Sequence, residues 1–350
     1  MSGLGTVIAA RVAAWGGAAL PLEQLVFGST DPDTIATAVD AWCGEHLGSA
    51  IAHYRFFDSS SGSVHGVSLE DGRDVVVKVH RPGLTFAYLS AISATQTALV
   101  DHGIPGPRPL VSPIPYGPAH VTAEQMIAAG SRADGHDPAV RRALAAGLAT
   151  FVATGHLLGL EHNELLRHPM AMPADQLYPP PHSARFDFAA TATGSEWIDA
   201  LARAARTALA TAGPTEAVLG HGDWRIDNVA LQGDRIVAVY DWDSVCVEPE
   251  IVPVATSALT FCVDWERPAG QRFPSPAETR AFLDDYESAR SRPFDACERA
   301  AIAARMVFNL AYGARCERAD DHPEIADSQQ GMLRALGPAL LRRGLAALEG

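Results

Sequence analysis

Three short β-rich segments, set in a chain that otherwise has helical patterns, limit the folds that this protein can adopt. Residues 53–60, 63–70 and 74–80 are rich in β-branched and aromatic side chains. A Ser/Gly turn joins the first two segments, and Asp71-Gly72, a strong hairpin signal, joins the second to the third. The sequence therefore predicts an antiparallel meander of three strands.

Helical patterns lie on both sides of this meander. The first 50 residues read as helical, residues 84–100 place apolar side chains on one helical face, and residues 120–130 form a short strand that runs into a connector. Further helices are predicted at 138–159, 195–212, 276–290, 295–318 and 327–348. A second β-rich passage, 217–244, interrupts them. We therefore expect an α+β protein in which a small lobe with a sheet precedes a larger helical lobe.

Composition excludes several classes of function. The formal net charge of −14 argues against extended binding to nucleic acid, which needs clustered basic side chains, and it suits a cationic small molecule. Five widely spaced cysteines without a CxxC motif indicate neither a disulfide framework nor a zinc cluster. No secretory signal is recognisable, and no uncharged run reaches the ~18 apolar residues of a membrane span. The expectation is a cytoplasmic protein with no membrane partner.

The second β-rich passage contains the sequence HGDWRIDN, followed by a short strand that ends in Asp241-Trp242-Asp243. Phosphoryl transfer needs an Asp at the attacking hydroxyl, an amide oxygen five residues on that reaches a metal, and a second carboxylate that bridges metal and phosphates. Asp223, Asn228 and Asp241 match these needs, and their hard oxygen atoms suit Mg²⁺. The alternative is that His221 and Asn228 only close a β-turn.

With these motifs, the chain resembles the aminoglycoside phosphotransferase and choline kinase family, small-molecule kinases with a two-lobed protein-kinase-like fold. The resemblance extends from about residue 50 to the C-terminal helices and is carried by VVVK, AEQM, HGDWRIDN and VYDWDS. It implies an N-terminal helical extension at 1–50 that packs on the N-lobe, a nucleotide-binding N-lobe at 51–124, and a helical C-lobe at 125–350 with the catalytic loop and the substrate site.

The resemblance also implies roles for individual residues. Lys78, the only lysine in the chain, would hold the α- and β-phosphates, and Asp223 would be the catalytic base. His221 would brace the catalytic loop, while Asn228 and Asp241 would bind the metal. The backbone of a hinge would hydrogen-bond a purine edge; the hinge residues are Glu124, Gln125 and Met126.

Three features depart from the usual kinase pattern. The turn DSSSGSVHGV lacks GxGxxG, so serine hydroxyls and backbone amides around Ser61, Gly62 and Ser63 would cradle the phosphates. No carboxylate occurs between residues 82 and 100 to pair with Lys78, which leaves a neutral hydrogen bond from Gln96 or another acidic residue as alternatives. Arg225 is either a γ-phosphate contact or a surface arginine beside an acidic loop.

The function expected from these residues is a kinase that uses ATP or GTP with Mg²⁺ to phosphorylate a small-molecule hydroxyl. An aminoglycoside or another cationic antibiotic is one candidate substrate, and choline-like amines, sugars and nucleosides are others. A pseudokinase that binds nucleotide without turnover is the alternative from another class. Asp243 would either bind a second metal or accept hydrogen bonds from loop amides. Tyr178 would either contact the substrate or pack within its loop.

Overall fold

The computed structural model describes residues 3–17, 19–167, 175–183, 185–268, 272–322 and 324–349. The chain divides into two compact units. The first, the sheet unit, comprises residues 1–100, 107–128 and 182–185. The second, the helical unit, comprises residues 101–106, 129–181 and 186–350.

The sheet unit begins with three helices, which confirms the helical prediction for the first 50 residues. They are α1 (Thr6–Ala14), α2 (Pro21–Phe27) and α3 (Pro32–His46). Asp31 caps α3, since its carboxylate accepts a hydrogen bond of 2.8 Å from the amide of Thr34. This bond satisfies one of the amides that a helix start leaves without an intrahelical acceptor.

A five-stranded antiparallel sheet follows, with the order β1-β2-β3-β5-β4. Its strands are β1 (Ile51–Ser59), β2 (Gly62–Leu69), β3 (Asp74–His80), β4 (Ile114–Tyr116) and β5 (Ala119–Gln125), and α4 (Phe86–Asp101) connects β3 to β4. The predicted meander is confirmed as β1 to β3. The sequence analysis missed β4, because three residues that include Pro115 carry no readable alternation. The buried face of the sheet is built from apolar residues such as Val75, Val77, Val79 and Val121.

The helical unit contains six further α-helices among its described residues. They are α5 (Pro138–Leu157), α6 (Glu196–Ala212), α7 (Ile251–Thr260), α8 (Pro276–Ala289), α9 (Ala296–Ala319) and α10 (Gln329–Arg343). Two antiparallel strand pairs lie between α6 and α7: β6 (Ala217–His221) with β9 (Val245–Pro249), and β7 (Val229–Gln232) with β8 (Arg235–Val239). The mixture of helices and antiparallel strands confirms the α+β prediction.

The sequence analysis did not predict α7. Its residues are almost all apolar and include Pro253, so the segment shows neither a polar face nor an uninterrupted helical pattern. Pro253 is the third helical residue, where the missing amide hydrogen would have had no intrahelical acceptor. Burial explains the apolar composition, since Ile251, Val254 and Leu259 all lie in the core.

A histidine is fully buried in the sheet unit. His65 on β2 has no exposed surface, and hydrogen bonds join its Nδ1 to the Tyr54 hydroxyl at 3.2 Å and its Nε2 to the Ser63 hydroxyl at 3.0 Å. The rings of Phe27 and Phe57 lie beside it, at centroid distances of 6.1 and 5.3 Å. Burial lowers the pKa of His65 to about 3, because an imidazolium is costly in this apolar surrounding.

This buried histidine predicts an acid-sensitive fold. In the unfolded chain the imidazole regains an ordinary pKa of about 6.5, so the unfolded state binds more protons between pH 6.5 and 3. Stability from this group is complete above pH 6.5 and decreases as the pH is lowered. We expect His65→Gln to flatten the fall in the free energy of unfolding between pH 7 and 5, measured by urea denaturation. The same substitution at the exposed His53 is the control, and an unchanged slope in His65→Gln would contradict the assignment.

Candidate active site

His221 holds together two segments of the helical unit. It is the last residue of β6 and is fully buried. Its Nδ1 accepts a hydrogen bond of 3.3 Å from the backbone amide of Asp223, so its Nε2 must be the nitrogen that donates to the carbonyl of Tyr240, at 2.9 Å. The ring therefore joins the start of the catalytic loop to the residue that precedes Asp241.

Asp223 and Asn228 are in direct contact. The Asn228 side-chain amide donates to both the carbonyl oxygen and Oδ2 of Asp223, each at 2.8 Å. Its backbone carbonyl accepts from the amide of Tyr240 at 2.9 Å. Because both amide hydrogens point towards Asp223, Oδ1 is the side-chain atom of Asn228 that remains for a metal.

Asp241 has an unusual backbone conformation. Its φ of 58° and ψ of 48° lie in the left-handed region, which non-glycine residues seldom adopt outside turns and functional sites. Ser244 stabilises this turn, since its amide donates to the Asp241 carbonyl at 3.0 Å and its hydroxyl to Oδ2 at 2.6 Å. The Ser244 carbonyl in turn accepts from the Gly222 amide at 2.9 Å, which ties the turn to the catalytic loop.

The donor set at this site fits a divalent cation such as Mg²⁺. Asn228 supplies an amide oxygen and Asp241 a carboxylate, and Mg²⁺ in kinases commonly takes one or two such ligands and completes its shell with water and phosphate oxygens. Within the described part of the chain, no group of three or more His, Cys, Asp or Glu side chains could hold a metal. Two protein oxygen ligands suit an ion that takes its other ligands from water and phosphate.

Arg225 lies against the candidate base. Its Nη2 is 3.2 Å from Oδ2 of Asp223, and its Nε is 3.9 Å from Oδ2 of Asp227. Burial raises the pKa of Asp227, while the charges of Arg225 and Arg132 oppose that rise. Arg225 is thus paired with the acidic loop at the carboxylate of the candidate base, and its contact with a γ-phosphate stays a prediction.

Lys78 occupies the less buried face of the sheet in the other unit. On β3 it pairs with Val64 of β2 and Thr122 of β5, and its side chain extends across Gly62. A Cβ added to Gly62 would lie 2.7 Å from Cε of Lys78. Glycine at this position therefore leaves the space that the lysine side chain occupies.

Ser63 does not serve as the sequence predicted. Its side chain has no exposed surface and its hydroxyl is bonded to His65 within the core, so this hydroxyl cannot cradle a phosphate. The cause is the alternation of a strand: Ser63 belongs to β2 and points to the face opposite Gly62. Ser61 lies before β2, in the turn where the amide of Ser60 donates to the Gly62 carbonyl at 3.1 Å.

The predicted hinge also needs a correction. The amide of Gln125 donates to the carbonyl of Arg108, and the amide of Met126 to the carbonyl of Asp74, both at 3.0 Å. These two amides are therefore occupied within the sheet unit and cannot donate to a purine. Contact with a purine edge through this segment is left to carbonyl oxygens or to residues after Met126.

The Glu124 side chain makes a contact that the sequence analysis did not identify. Gln96 on α4, which is only 4% exposed, donates from Nε2 to Oε2 of Glu124 at 2.8 Å and to the carbonyl of Pro107 at 2.9 Å. The signal available in the sequence was an amide in a helix whose one carboxylate is its last residue, Asp101. For the hydrogen bond from Ser244 to Asp241, the local signal in the sequence was a serine three residues after an aspartate.

Tyr178 packs into the helical unit rather than into an open site. Its hydroxyl donates to Oδ1 of Asp199 at 3.0 Å, and its ring lies beside Phe188 and Phe308. The buried Arg315 bonds both oxygens of Asp199 at 3.3 Å and the carbonyl of Phe188. These contacts favour the loop-packing alternative. Residues 168–174 and 184, on either side of Tyr178 in the sequence, lie outside the described residues.

The fold and these motifs define a protein-kinase-like phosphotransferase. The sequence matches the phosphotransferase enzyme family (APH) over residues 57–293, about two thirds of its length, and the chain belongs to this family. A comparison with curated proteins gives no significant match. No helix among the described residues is long and apolar enough to cross a membrane.

Several solved structures share the fold at low sequence identity. Amicoumacin kinase hAmiN, in complex with AMP-PNP, Ca²⁺ and Ami, is 13% identical with a TM-score of 0.55, over 83% of this chain and 89% of its own. A thermostable mutant of aminoglycoside phosphotransferase APH(4)-Ia, in a ternary complex with ADP and hygromycin B, is 14% identical with a TM-score of 0.52, over 87% and 98%. These similarities confirm the predicted protein-kinase-like fold.

The contact between Gly62 and Lys78 predicts the behaviour of the chain's single lysine. In Gly62→Ala the added methyl group, which would also lie 3.3 Å from the backbone oxygen of Val79, would displace the flexible lysine side chain from its contacts. We expect an amine-reactive reagent to modify Lys78 faster in this variant, measured by peptide mass spectrometry. Gly44→Ala, on a helical surface with no atom within 4 Å of the added Cβ, is the control. An unchanged rate in Gly62→Ala would show that the lysine does not need this space.

Proposed function

We propose that the protein transfers the γ-phosphoryl group of ATP or GTP to a hydroxyl group of a small molecule. The observation that carries this proposal is the double hydrogen bond of His221, which links Asp223 to the segment of Asp241 while Asn228 contacts Asp223. A β-turn with only a structural role would not need these three residues together. Asp223 could act as a base, Asn228 as a metal ligand and Asp241 as a second carboxylate in a strained conformation, and hydrogen bonds connect all three segments.

In this mechanism Asp223 orients the acceptor hydroxyl and accepts its proton. The hydroxyl oxygen forms a bond to the γ-phosphorus, the bond from that phosphorus to the bridging oxygen breaks, and the nucleoside diphosphate leaves. Arg225, whose Nη2 lies 3.2 Å from Oδ2 of Asp223, pairs with this carboxylate and would help to orient it in the loop. Asn228 and Asp241 would hold Mg²⁺, which neutralises phosphate charge when bound.

The sheet unit would supply the nucleotide contacts. Lys78 places a compact ammonium group on the less buried sheet face, where it would pair with the α- and β-phosphates. Backbone amides of the turn at Ser61 and Gly62, and the Ser61 hydroxyl, would complete the phosphate contacts. The protein's contribution is thus positioning and charge neutralisation.

For the acceptor we propose an antibiotic, with a cationic aminoglycoside as the first class to test. The structures with a similar fold include one amicoumacin kinase and an enzyme bound to hygromycin B, and the net charge of −14 suits a cationic substrate. Choline-like amines, sugars and nucleosides belong in the same screen. A pseudokinase would bind nucleotide and release no diphosphate with any of them.

Removal of the candidate base tests the mechanism. We expect Asp223→Asn to lower kcat by a factor of about 10² to 10⁴, the range of general-base catalysis, with a smaller effect on the KM for nucleotide. The assay is Mg²⁺-dependent release of nucleoside diphosphate over a panel of antibiotics, amino alcohols, sugars and nucleosides. Asp234→Asn, at the exposed turn between β7 and β8, is the matched control. Equal turnover in Asp223→Asn and the native protein would exclude this role.

The unique lysine gives a second test, which does not require the acceptor to be known. If Lys78 contacts the nucleotide phosphates, ATP or GTP with Mg²⁺ should protect it from an amine-reactive reagent. Lys78→Arg should recover only part of the nucleotide affinity lost in Lys78→Ala, because a planar guanidinium does not replace a compact ammonium. Full affinity in the arginine variant, or no protection by either nucleotide, would remove Lys78 from the site.

A further inference from the structure

The ammonium of Lys78 lacks a carboxylate in the helix that follows its strand. In α4 (Phe86–Asp101) the first acidic side chain is the final residue, Asp101. In protein kinases an ion pair with a glutamate from the equivalent helix holds the phosphate-binding lysine. The residues of α4 before Asp101 offer no such carboxylate, so a negative charge that positions this ammonium would have to come from another element.

The strand on the other side of Lys78 offers a carboxylate. In the antiparallel pair of β3 and β5, Lys78 is opposite Thr122 and Val76 is opposite Glu124. Residues directly opposite share a face, and so do residues two apart on one strand, which places Lys78 and Glu124 on the same face as diagonal neighbours. Diagonal positions lie about 7–8 Å apart, within reach of two long side chains.

Gln96 fixes the position of this carboxylate. Its Nε2 donates to Oε2 of Glu124 and to the carbonyl of Pro107, so both amide hydrogens are used. Gln96 is almost fully buried, which holds the donor in place. An amide can donate to a carboxylate, whereas a glutamate in its place would repel it. The amide on α4 and the acid on β5 are therefore complementary.

We propose that Glu124 is the acidic partner that positions Lys78, and that Gln96 holds Glu124 for this purpose. The usual arrangement is thus exchanged: the acid comes from the neighbouring strand and the helix supplies the amide. This inference rests on the proposed function, because it describes how Lys78 is held for the nucleotide. It makes the Glu124 side chain a positioning group and leaves any purine contact to the backbone of that segment.

Removal of the two side chains, singly and together, tests the proposal. Glu124→Gln removes the charge and should raise the KM for nucleotide by about 10-fold or more, the scale of a hydrogen bond to a charged group. Gln96→Leu should also raise this KM, but it should add little to the effect of Glu124→Gln in the double variant, because Gln96 acts through Glu124. Glu70→Gln, at an exposed position of the same unit, should behave as the native protein.

The reactivity of Lys78 provides a readout that needs no acceptor. Loss of a nearby carboxylate favours the neutral, nucleophilic amine, so Glu124→Gln should be modified faster by an amine-reactive reagent, and addition of Gln96→Leu should not increase that rate further. Native reactivity and KM in Glu124→Gln would overturn the proposal, and fully additive effects of the two substitutions would show that Gln96 does not act through Glu124. If the native protein shows no nucleotide-dependent turnover, the proposed function fails, while the modification rates still decide the pairing.

Discussion

The bonds of a single neutral imidazole determine the geometry of the catalytic segment. His221 receives the amide of Asp223 and donates to the carbonyl of Tyr240, and it can do both only as the tautomer that carries its proton on Nε2. The ring is enclosed by Phe151 and Trp224, so water cannot replace either bond. The spacing between the candidate base and the strained turn at Asp241 depends on this side chain, together with the backbone bonds from Gly222 to Ser244 and from Tyr240 to Asn228.

The only lysine of the chain is placed where side-chain shape matters. The other 26 basic residues, histidines aside, are all arginines. Several of them form ion pairs with carboxylates, as Arg225 and Arg315 do. At Lys78 the side chain passes so close to Gly62 that an added methyl group would lie 2.7 Å away. A slim aliphatic stem fits this passage, whereas a guanidinium places a broad planar group at its end.

The sequence predicted what depends on local pattern and missed what depends on pairing in space. Hairpin signals and helical periodicity located β1 to β3 and most helices, because these reflect neighbouring residues. The motif HGDWRIDN located Asp223 and Asn228 for the same reason. Strand alternation sends Ser63 to the core although its neighbour Gly62 lies under Lys78, and only the register of the sheet reveals this. The burial of Pro253 within α7 was likewise not readable from composition.

The missing glutamate on α4 was the one sequence feature that supported a pseudokinase. That argument assumes that a carboxylate can reach Lys78 from only one place in the chain. A sheet offers a second place, because each strand residue has diagonal neighbours on the adjoining strand, and Glu124 occupies such a position with a buried amide bonded to it. The carboxylate that protein kinases place on the helix can thus come from a residue on the neighbouring strand. The absence of the motif residue therefore does not count against catalysis in this chain.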